Sequence, residues 1–365
     1  MQQLDEGGRM ISSGTSSSGT LPGLAVPALA RWLRSNEPEL VTAEPITARL
    51  IPGGRSNLTY SIGGAAEPIV LRRPPLGHVQ STAHDMAREF RVISALRATA
   101  VPVPRAIRLV DDPDAGVDAP FYLMQQVPGR ILGSRADNAA YTPTQLRALS
   151  RELVETLAAL HTMDAAEVGL AGFGRPEGFL ARQLERWGRQ YDGSRSRDIP
   201  ELDALQRELQ DGIPGAGRSS IVHGDYRLDN ALVIDVEGEP TISAILDWEM
   251  ATLGDPLTDL GLFGLYWNLN GFDGVPPGVV ATSVFAEDGY PSFEELVAVY
   301  SEAARVEVPE LPWYLALAAF KLAVILEGIH FRHKAGQTVG EGFDVIGSLV
   351  TPIARAGRRY LTEAN

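Results

Sequence analysis

Apolar positions change their period partway along this chain, and the change divides it. Alternating apolar and polar residues mark three strands, at Ile46–Ile51, Leu58–Ile62 and Pro68–Arg72. Pro52-Gly53-Gly54-Arg55-Ser56-Asn57 joins the first two and Gly63-Gly64 joins the last two, both with turn chemistry. From about residue 84 to 97 the period becomes helical, with Met86, Phe90, Ile93 and Leu96 on one face. Pro102 and Pro104 interrupt the chain, and Ile107–Val110 and Phe121–Gln126 supply two more strands. A short helix over Leu24–Leu33, with Pro27 in its first turn, precedes them all. Three strands, a helix and two strands predict a small antiparallel lobe over residues 24–128, left through Val127-Pro128-Gly129.

Beyond residue 129 the pattern is mainly helical. Thr142 can cap a helix, Pro143 suits its first position, and Gln145 can reach back to the cap. Leu146, Leu149, Leu153, Val154, Leu157 and Leu160 then form a stripe ending near His161. Further helices are expected at about Phe179–Tyr191, Asp259–Trp267, Ser292–Ala304, Pro312–Lys334 and Gly342–Arg355. Ala231–Ile234 and Thr241–Leu246 read as a buried hairpin turning at Val236-Glu237-Gly238. The fold class expected is α+β, with a small sheet lobe at 24–128 and a larger, mainly helical lobe at 129–365. Residues 1–23, rich in Ser and Gly, read as a disordered tail without the charged start and apolar middle of a signal peptide.

Composition removes several kinds of function. The 365 residues carry a net charge of −14, which disfavours nucleic acid as a partner because phosphate contacts need a basic face. There is no cysteine, so thiolate and disulfide chemistry are excluded; a cytoplasmic location fits. The longest apolar stretch, Leu315–Leu326, is interrupted by Lys321, and no membrane span is expected. Nothing in the pattern signals oligomerisation.

The chemistry concentrates in Ile221-Val222-His223-Gly224-Asp225-Tyr226-Arg227-Leu228-Asp229-Asn230 and in Ala244-Ile245-Leu246-Asp247-Trp248-Glu249. An Asp and an Asn five apart on one loop, then an Asp after a strand, form the set a kinase needs. Asp225 would accept the proton of the attacking hydroxyl, and Asn230 and Asp247 would hold Mg2+ on the nucleotide phosphates through hard oxygen donors. His223 reads as a backbone-bonding support, and His161 likewise. His330 and His333 share a helix three apart but lack a third ligand, so a packed or exposed pair is the better reading. Gly53-Gly54-Arg55-Ser56-Asn57 stands where a phosphate-covering loop belongs, though a plain hairpin turn has the same composition. Arg72 ends the third strand and Glu89 lies on the following helix; they could contact phosphate as a pair, or form an ordinary ion pair. Arg73 should face the other way. Asp255, before Pro256, reads as a helix cap, and Asp259 as a tie between that helix and the catalytic loop.

These motifs resemble the aminoglycoside phosphotransferase (APH) family, the small-molecule branch of the protein-kinase-like bilobal fold. The resemblance rests on Gly53-Gly54-x-Ser56-Asn57, Glu89, His223-Gly224-Asp225-x-x-x-x-Asn230, Asp247-Trp248-Glu249 and Gly254-Asp255-Pro256, over about residues 45 to 335. Gly54–Tyr60, Val70–Pro75 and Leu246–Pro256 are similar to the branch related to the kinase-like domain joined to some acyl-CoA dehydrogenases. The resemblance implies ATP, or GTP, with Mg2+ and a small hydroxylated acceptor, and Gln125 and Val127 complete the nucleotide-side set. That branch suggests a hydroxyacyl-CoA or related metabolite as acceptor. An aminoglycoside- or macrolide-type antibiotic kinase and a nucleotide-binding, pseudokinase-like regulatory module are the alternatives. A protein kinase fits poorly, because Gly224 replaces the Arg of the catalytic loop and the segment after Asp247 is short. Trp248, Glu249, Tyr266, Trp267, Tyr314, Glu327 and Arg332 are the acceptor-side candidates, being large or charged on segments expected to face the site.

Overall fold

A computed structural model describes residues 3–4, 10–11, 17–52, 57–76, 85–215, 217–280, 282–336 and 343–363. The chain divides into two units, Met1–Pro128 and Gly129–Asn365. In the first, β1 (Thr47–Leu50), β2 (Leu58–Gly63), β3 (Ile69–Arg73), β4 (Ala106–Val110) and β5 (Phe121–Gln125) form one sheet in the order β1-β2-β3-β5-β4. Every neighbouring pair is antiparallel. The sheet's inward residues Tyr60, Ile62, Ile69, Leu71 and Leu123 pack on α1 (Val26–Asn36), whose Leu29, Ala30, Trp32 and Leu33 are buried. α2 (Met86–Leu96) is capped by Asp85, whose carboxylate accepts from the Arg88 N–H at 3.0 Å.

The expected tail gives way to packed chain by Ser17. Ser17 pairs with Ala48, Thr20–Leu21 pairs with Leu24–Ala25, and the Tyr60 hydroxyl donates to the Pro22 carbonyl. Leu21 lies against the sheet core, so segment 17–23 is part of the unit. The composition that suggested disorder is outweighed by one apolar side chain, three backbone pairings and the bond from Tyr60. Further back, Gln3–Leu4 pairs with Met10–Ile11; the rest of the tail lies outside the described residues.

The second unit is mainly helical: α3 (Pro143–Thr162), α4 (Phe179–Ser194), α5 (Pro200–Asp211), α6 (Leu257–Asn268), α7 (Phe293–Ala304), α8 (Pro312–Lys334) and α9 (Ile346–Glu363). α3 begins with the capping box of Thr142 and Gln145. Residues 343–345 precede the last helix, which runs on to Glu363, and Gly342 lies outside the described residues. α5 was not foreseen. Its Leu202, Leu205 and Leu209 are buried, but Glu and Gln between them dilute the stripe.

α8 is long and apolar enough to cross a membrane by length and composition, contrary to the sequence expectation, with a window hydropathy of 1.6. In this fold 72% of that window is buried, and α8 packs on α4, α5, α6 and α9. It is apolar all round because neighbours surround it.

Candidate active site

Two short β ladders bring the expected residues together. β6 (Ser220–Val222) pairs with β9 (Thr252–Gly254), Val222 facing Thr252. β7 (Ala231–Val236) and β8 (Glu239–Ile245) form a hairpin whose turn uses left-handed Glu237 (φ 53°) and Gly238 (φ 89°). Its register sets Ala231 opposite Ile245, and the Leu246 N–H donates to the Asn230 carbonyl at 2.7 Å. Asn230 and Asp247, seventeen positions apart, therefore emerge at one end of one hairpin. Asp247 has φ 66° and ψ 60°, a left-handed conformation that turns the chain into the 3-10 turn Trp248–Met250. Non-glycine residues adopt it rarely, at a cost of about 1–3 kcal/mol, and such strain collects at functional sites.

The loop from His223 to Asn230 is fixed from several sides. Gly224 is left-handed (φ 84°), and a Cβ there would lie 2.7 Å from the Met250 carbonyl oxygen, so only glycine fits between His223 and Asp225. The buried Asp259 carboxylate accepts from the His223 N–H at 2.6 Å and the Gly224 N–H at 2.7 Å. His161 Nε2 lies 3.1 Å from the same carboxylate, and its Nδ1 is 2.9 Å from the Tyr300 hydroxyl. Burial opposes the Asp259 charge, but the bond from His161 and the further favourable contributions of His161 and His223 outweigh it, holding the carboxyl below its ordinary pKa. His223 joins the two segments: its Nδ1 accepts from the Asp225 N–H at 3.2 Å and its Nε2 lies 2.9 Å from the Leu246 carbonyl. From α8, Lys321 Nζ donates to the Gly224 carbonyl at 2.6 Å.

Asn230 Nδ2 donates to the Asp225 carbonyl at 2.8 Å and to its carboxylate at 3.1 Å. That leaves Asn230 Oδ1 as the atom suited to a cation. The Asp225 side chain keeps 27% exposure in a loop otherwise largely buried, so its carboxylate remains reachable. Two hard oxygen donors, Asn230 and Asp247, fit Mg2+, which retains waters and takes phosphate oxygens rather than an all-protein cage. Among the described residues no group of three His, Cys, Asp or Glu could hold a metal ion.

Sequence reasoning passed over Arg227. Its guanidinium lies 3.9 Å from Asp225 Oδ2, 3.6 Å from Asp229 Oδ2 and 4.6 Å from the Tyr266 ring centroid. Burial works against its charge, but Tyr266, Asp225, Asp229 and Asp247 together raise its pKa further. Burial also pushes the Asp229 carboxyl up to about 6, partly offset by Arg227 and reinforced by Asp225. Arg227, Asp229, Tyr266 and Thr282 line a recess with room for about one water molecule. The available signal was a cation two residues after Asp225.

Most acceptor-side candidates are buried, while Tyr266 and Trp267 line the recess beside Arg227. Trp248 is 1% exposed, donates to the Ile245 carbonyl at 2.9 Å and packs 4.5 Å from the His223 ring. Trp267 donates to the Pro291 carbonyl and Tyr314 to Asp255 Oδ2 at 3.0 Å, both from buried positions. Glu327 is fully buried, bonded to Ser196 and to Arg197 at 2.7 Å. These large side chains were expected to face the acceptor, and helix packing buries them. Glu249 is half-buried and Arg332 exposed. Asp255 accepts from the Leu257 N–H at 3.0 Å. His330 is buried, and His333 stacks on Phe343.

In the first unit, Arg72 Nε lies 3.1 Å from Glu89 Oε2, with side-chain exposures of 13% and 3%. The pair is buried rather than superficial. Arg73 points away and donates to the carbonyls of Gly23 and Pro74 and to Asp118. The Gln125 N–H donates to Arg105 O and the Gln126 N–H to Pro68 O, so these donors belong to the sheet. Val127 is half-buried and Asn57 buried. Gly53, Gly54 and Ser56 lie outside the described residues.

The sequence model of the APH phosphotransferase enzyme family matches residues 47–296. This chain belongs to that family, and with it to the kinase-type phosphotransferases. It is 32% identical over 307 residues to acyl-CoA dehydrogenase family member 11 of Homo sapiens, covering 83% of this chain. The chain spans 38% of that relative's length. Its fold superposes with TM-score 0.76 on a provisionally assigned aminoglycoside phosphotransferase from Ralstonia eutropha JMP134, at 31% identity over 93% of this chain and 99% of the other. APH(4)-Ia, solved as a ternary complex with AMP-PNP and hygromycin B, superposes at TM-score 0.59 with 15% identity over 91% of this chain and 98% of that one, a likeness of fold.

Proposed function

We propose that this protein transfers the γ-phosphoryl group of ATP, or of GTP in its place, to a hydroxyl of a small molecule. Residues 24–128 would serve as the nucleotide-binding lobe, with Arg72 and Glu89 at the phosphates and Gly53, Gly54, Ser56, Asn57, Gln125 and Val127 around the nucleotide. Residues 129–365 would carry catalysis and the acceptor. The observation that carries the reading is the joint anchoring of Asp225, Asn230 and Asp247: Asn230 is tied to Asp225 by two hydrogen bonds, and the hairpin register brings Asp247 to the same end.

Asp225 accepts a hydrogen bond from the acceptor hydroxyl and orients its oxygen. As the new O–P bond forms and the bond to the β-phosphate oxygen breaks, the hydroxyl proton passes to Asp225 and ADP departs. An Asp of ordinary acidity suffices, because that proton becomes acidic only late in a loose transition state. Arg227 neutralises charge beside the carboxylate. Asn230 Oδ1 and the Asp247 carboxylate would hold Mg2+, which when bound offsets phosphate charge. His223, Asp255 and Asp259 position the loop.

The relatives named as acyl-CoA dehydrogenases support a hydroxyacyl-CoA or related metabolite as acceptor. The fold likeness to antibiotic phosphotransferases supports the alternative of a drug acceptor. A pseudokinase-like module is disfavoured because the base and both cation positions are filled. A nucleotide-dependent reaction of this kind suits the cytoplasm.

Asp225→Ala should lower acceptor-dependent ADP formation roughly 10²–10⁴-fold, the usual contribution of a positioned base. Mg-ATP binding should persist. Retained transfer in this variant refutes the role given to Asp225.

A further inference from the structure

Around Asp225 this acidic protein gathers positive charge. Lys321 bonds the carbonyl of the preceding residue, and its Nζ lies 5.5 Å from the centre of the Trp187 ring. The Arg186 guanidinium lies 5.6 Å from the centre of the same ring. Arg227 Nε lies 3.9 Å from Asp225 Oδ2. The other arginines of α4 are matched: Arg189 pairs with Glu185, and Arg182 donates to the carbonyls of Arg175 and Glu177. Arg186 is exposed, and among the described residues it has no carboxylate partner.

Burial chiefly disfavours the Lys321 charge, and Arg186 and Arg227 disfavour it to a smaller extent. Asp225 and Asp259 offset part of that cost. Asp259 is already engaged with the loop amides and His161, and Asp225 is the base. An exposed guanidinium without a carboxylate partner, set on an aromatic ring beside further positive charge, is suited to hold an anion. Asp229 and Asp247 are acidic, but they lie toward Arg227 and the cation side of the loop rather than on α4 or α8.

We propose that the acceptor carries an anionic group, a carboxylate or a phosphate, recognised by Arg186 on the Trp187 shelf, with Lys321 and Arg227 adding to the same positive field. The inference rests on Asp225 marking the acceptor side and makes a polycationic drug a poor acceptor. The chemistry is common to a hydroxy acid, through its own carboxylate, and to a hydroxyacyl thioester, through the phosphates of its carrier.

Matched probes separate these sources: 3-hydroxybutyrate against 3-hydroxybutyramide, 3-hydroxybutyryl-CoA against its N-acetylcysteamine thioester, and kanamycin as the polycation. Binding is measured by calorimetry on the full chain with Mg-AMP-PNP at low and high salt, and ADP release is followed separately with Mg-ATP. At least one anionic probe should bind roughly tenfold or more tightly than its neutral match, as a charge-assisted contact allows. The preference should shrink with salt and fall toward one in Arg186→Gln but not in Arg189→Gln. Equal binding of neutral and anionic probes, tighter binding of kanamycin, no binding of any probe, or a preference indifferent to Arg186→Gln overturns the inference. An Arg186-dependent anion preference without ADP release from any acceptor supports the anion site while refuting the transfer reaction.

Discussion

Asp259→Asn tests the anchoring of the catalytic loop. The carboxylate has two oxygens and three donors: the amides of His223 and Gly224, at 2.6 and 2.7 Å, and His161 Nε2 at 3.1 Å. Asparagine keeps the shape but offers one acceptor oxygen, so its NH2 must face an N–H group. At least one buried amide loses its partner, and each bond to a charged group is worth about 1.5–3 kcal/mol. A loss of about 3 kcal/mol is expected. For a unit of this size that lowers the melting temperature by roughly 6–12 °C. Four of the five tryptophans, Trp187, Trp248, Trp267 and Trp313, lie in residues 129–365. Fluorescence in a Trp32→Phe background therefore reports on that unit alone. Because Asp225 follows the two tethered amides, kcat should also fall about 10- to 100-fold, as displacements near 1 Å do. A variant melting within 2 °C (roughly 1 kcal/mol) of the parent with unchanged kcat would show that Asp259 does not hold the loop.

Arg72→Met leaves Glu89 buried without its nearest cation and should destabilise the first unit by about 3–5 kcal/mol, seen in its Trp32 melting signal; the double change to Arg72→Met with Glu89→Leu should recover much of the loss. Asp247→Gly should be about 1 kcal/mol more stable than Asp247→Ala, since only glycine adopts the left-handed turn without cost; equal urea midpoints would contradict this. For Asp229, the folded carboxyl binds its proton more tightly than the unfolded one, with a pKa of about 6 against an ordinary 3.8. Stability from this group is therefore present at low pH and lost as pH rises from about 4 to about 6. In metal-free protein, Asp229→Asn should flatten the pH dependence of the melting temperature over that window; an unchanged slope would show that Asp229 is not the titrating group.

How much of this was legible in the sequence differs from residue to residue. Gly224 was predictable in place but not in cause: its need for a left-handed φ becomes visible only when Met250 is found against it. Arg227 was overlooked because one arginine in a loop has no period, and its importance lies in the distances to Asp225 and Tyr266. For Trp248, Trp267 and Tyr314, bulk suggested an acceptor-facing surface, and only tertiary packing shows that they are buried.

The sequence by itself determined most of the order of elements, though not α5 or the short ladder of β6 and β9, together with the α+β class and the spacing of Asp225, Asn230 and Asp247, because strand and helix periods and motif spacing are local properties. The sequence already suggested Asp259 as a tie to the loop; tertiary structure added the other groups and the way they converge. Asp259, His161, Tyr300 and Lys321 come from α6, α3, α7 and α8, and no local pattern records their convergence. It also decided the positive surroundings of Asp225 within a chain of net charge −14, because a total charge says nothing about where folding places each one.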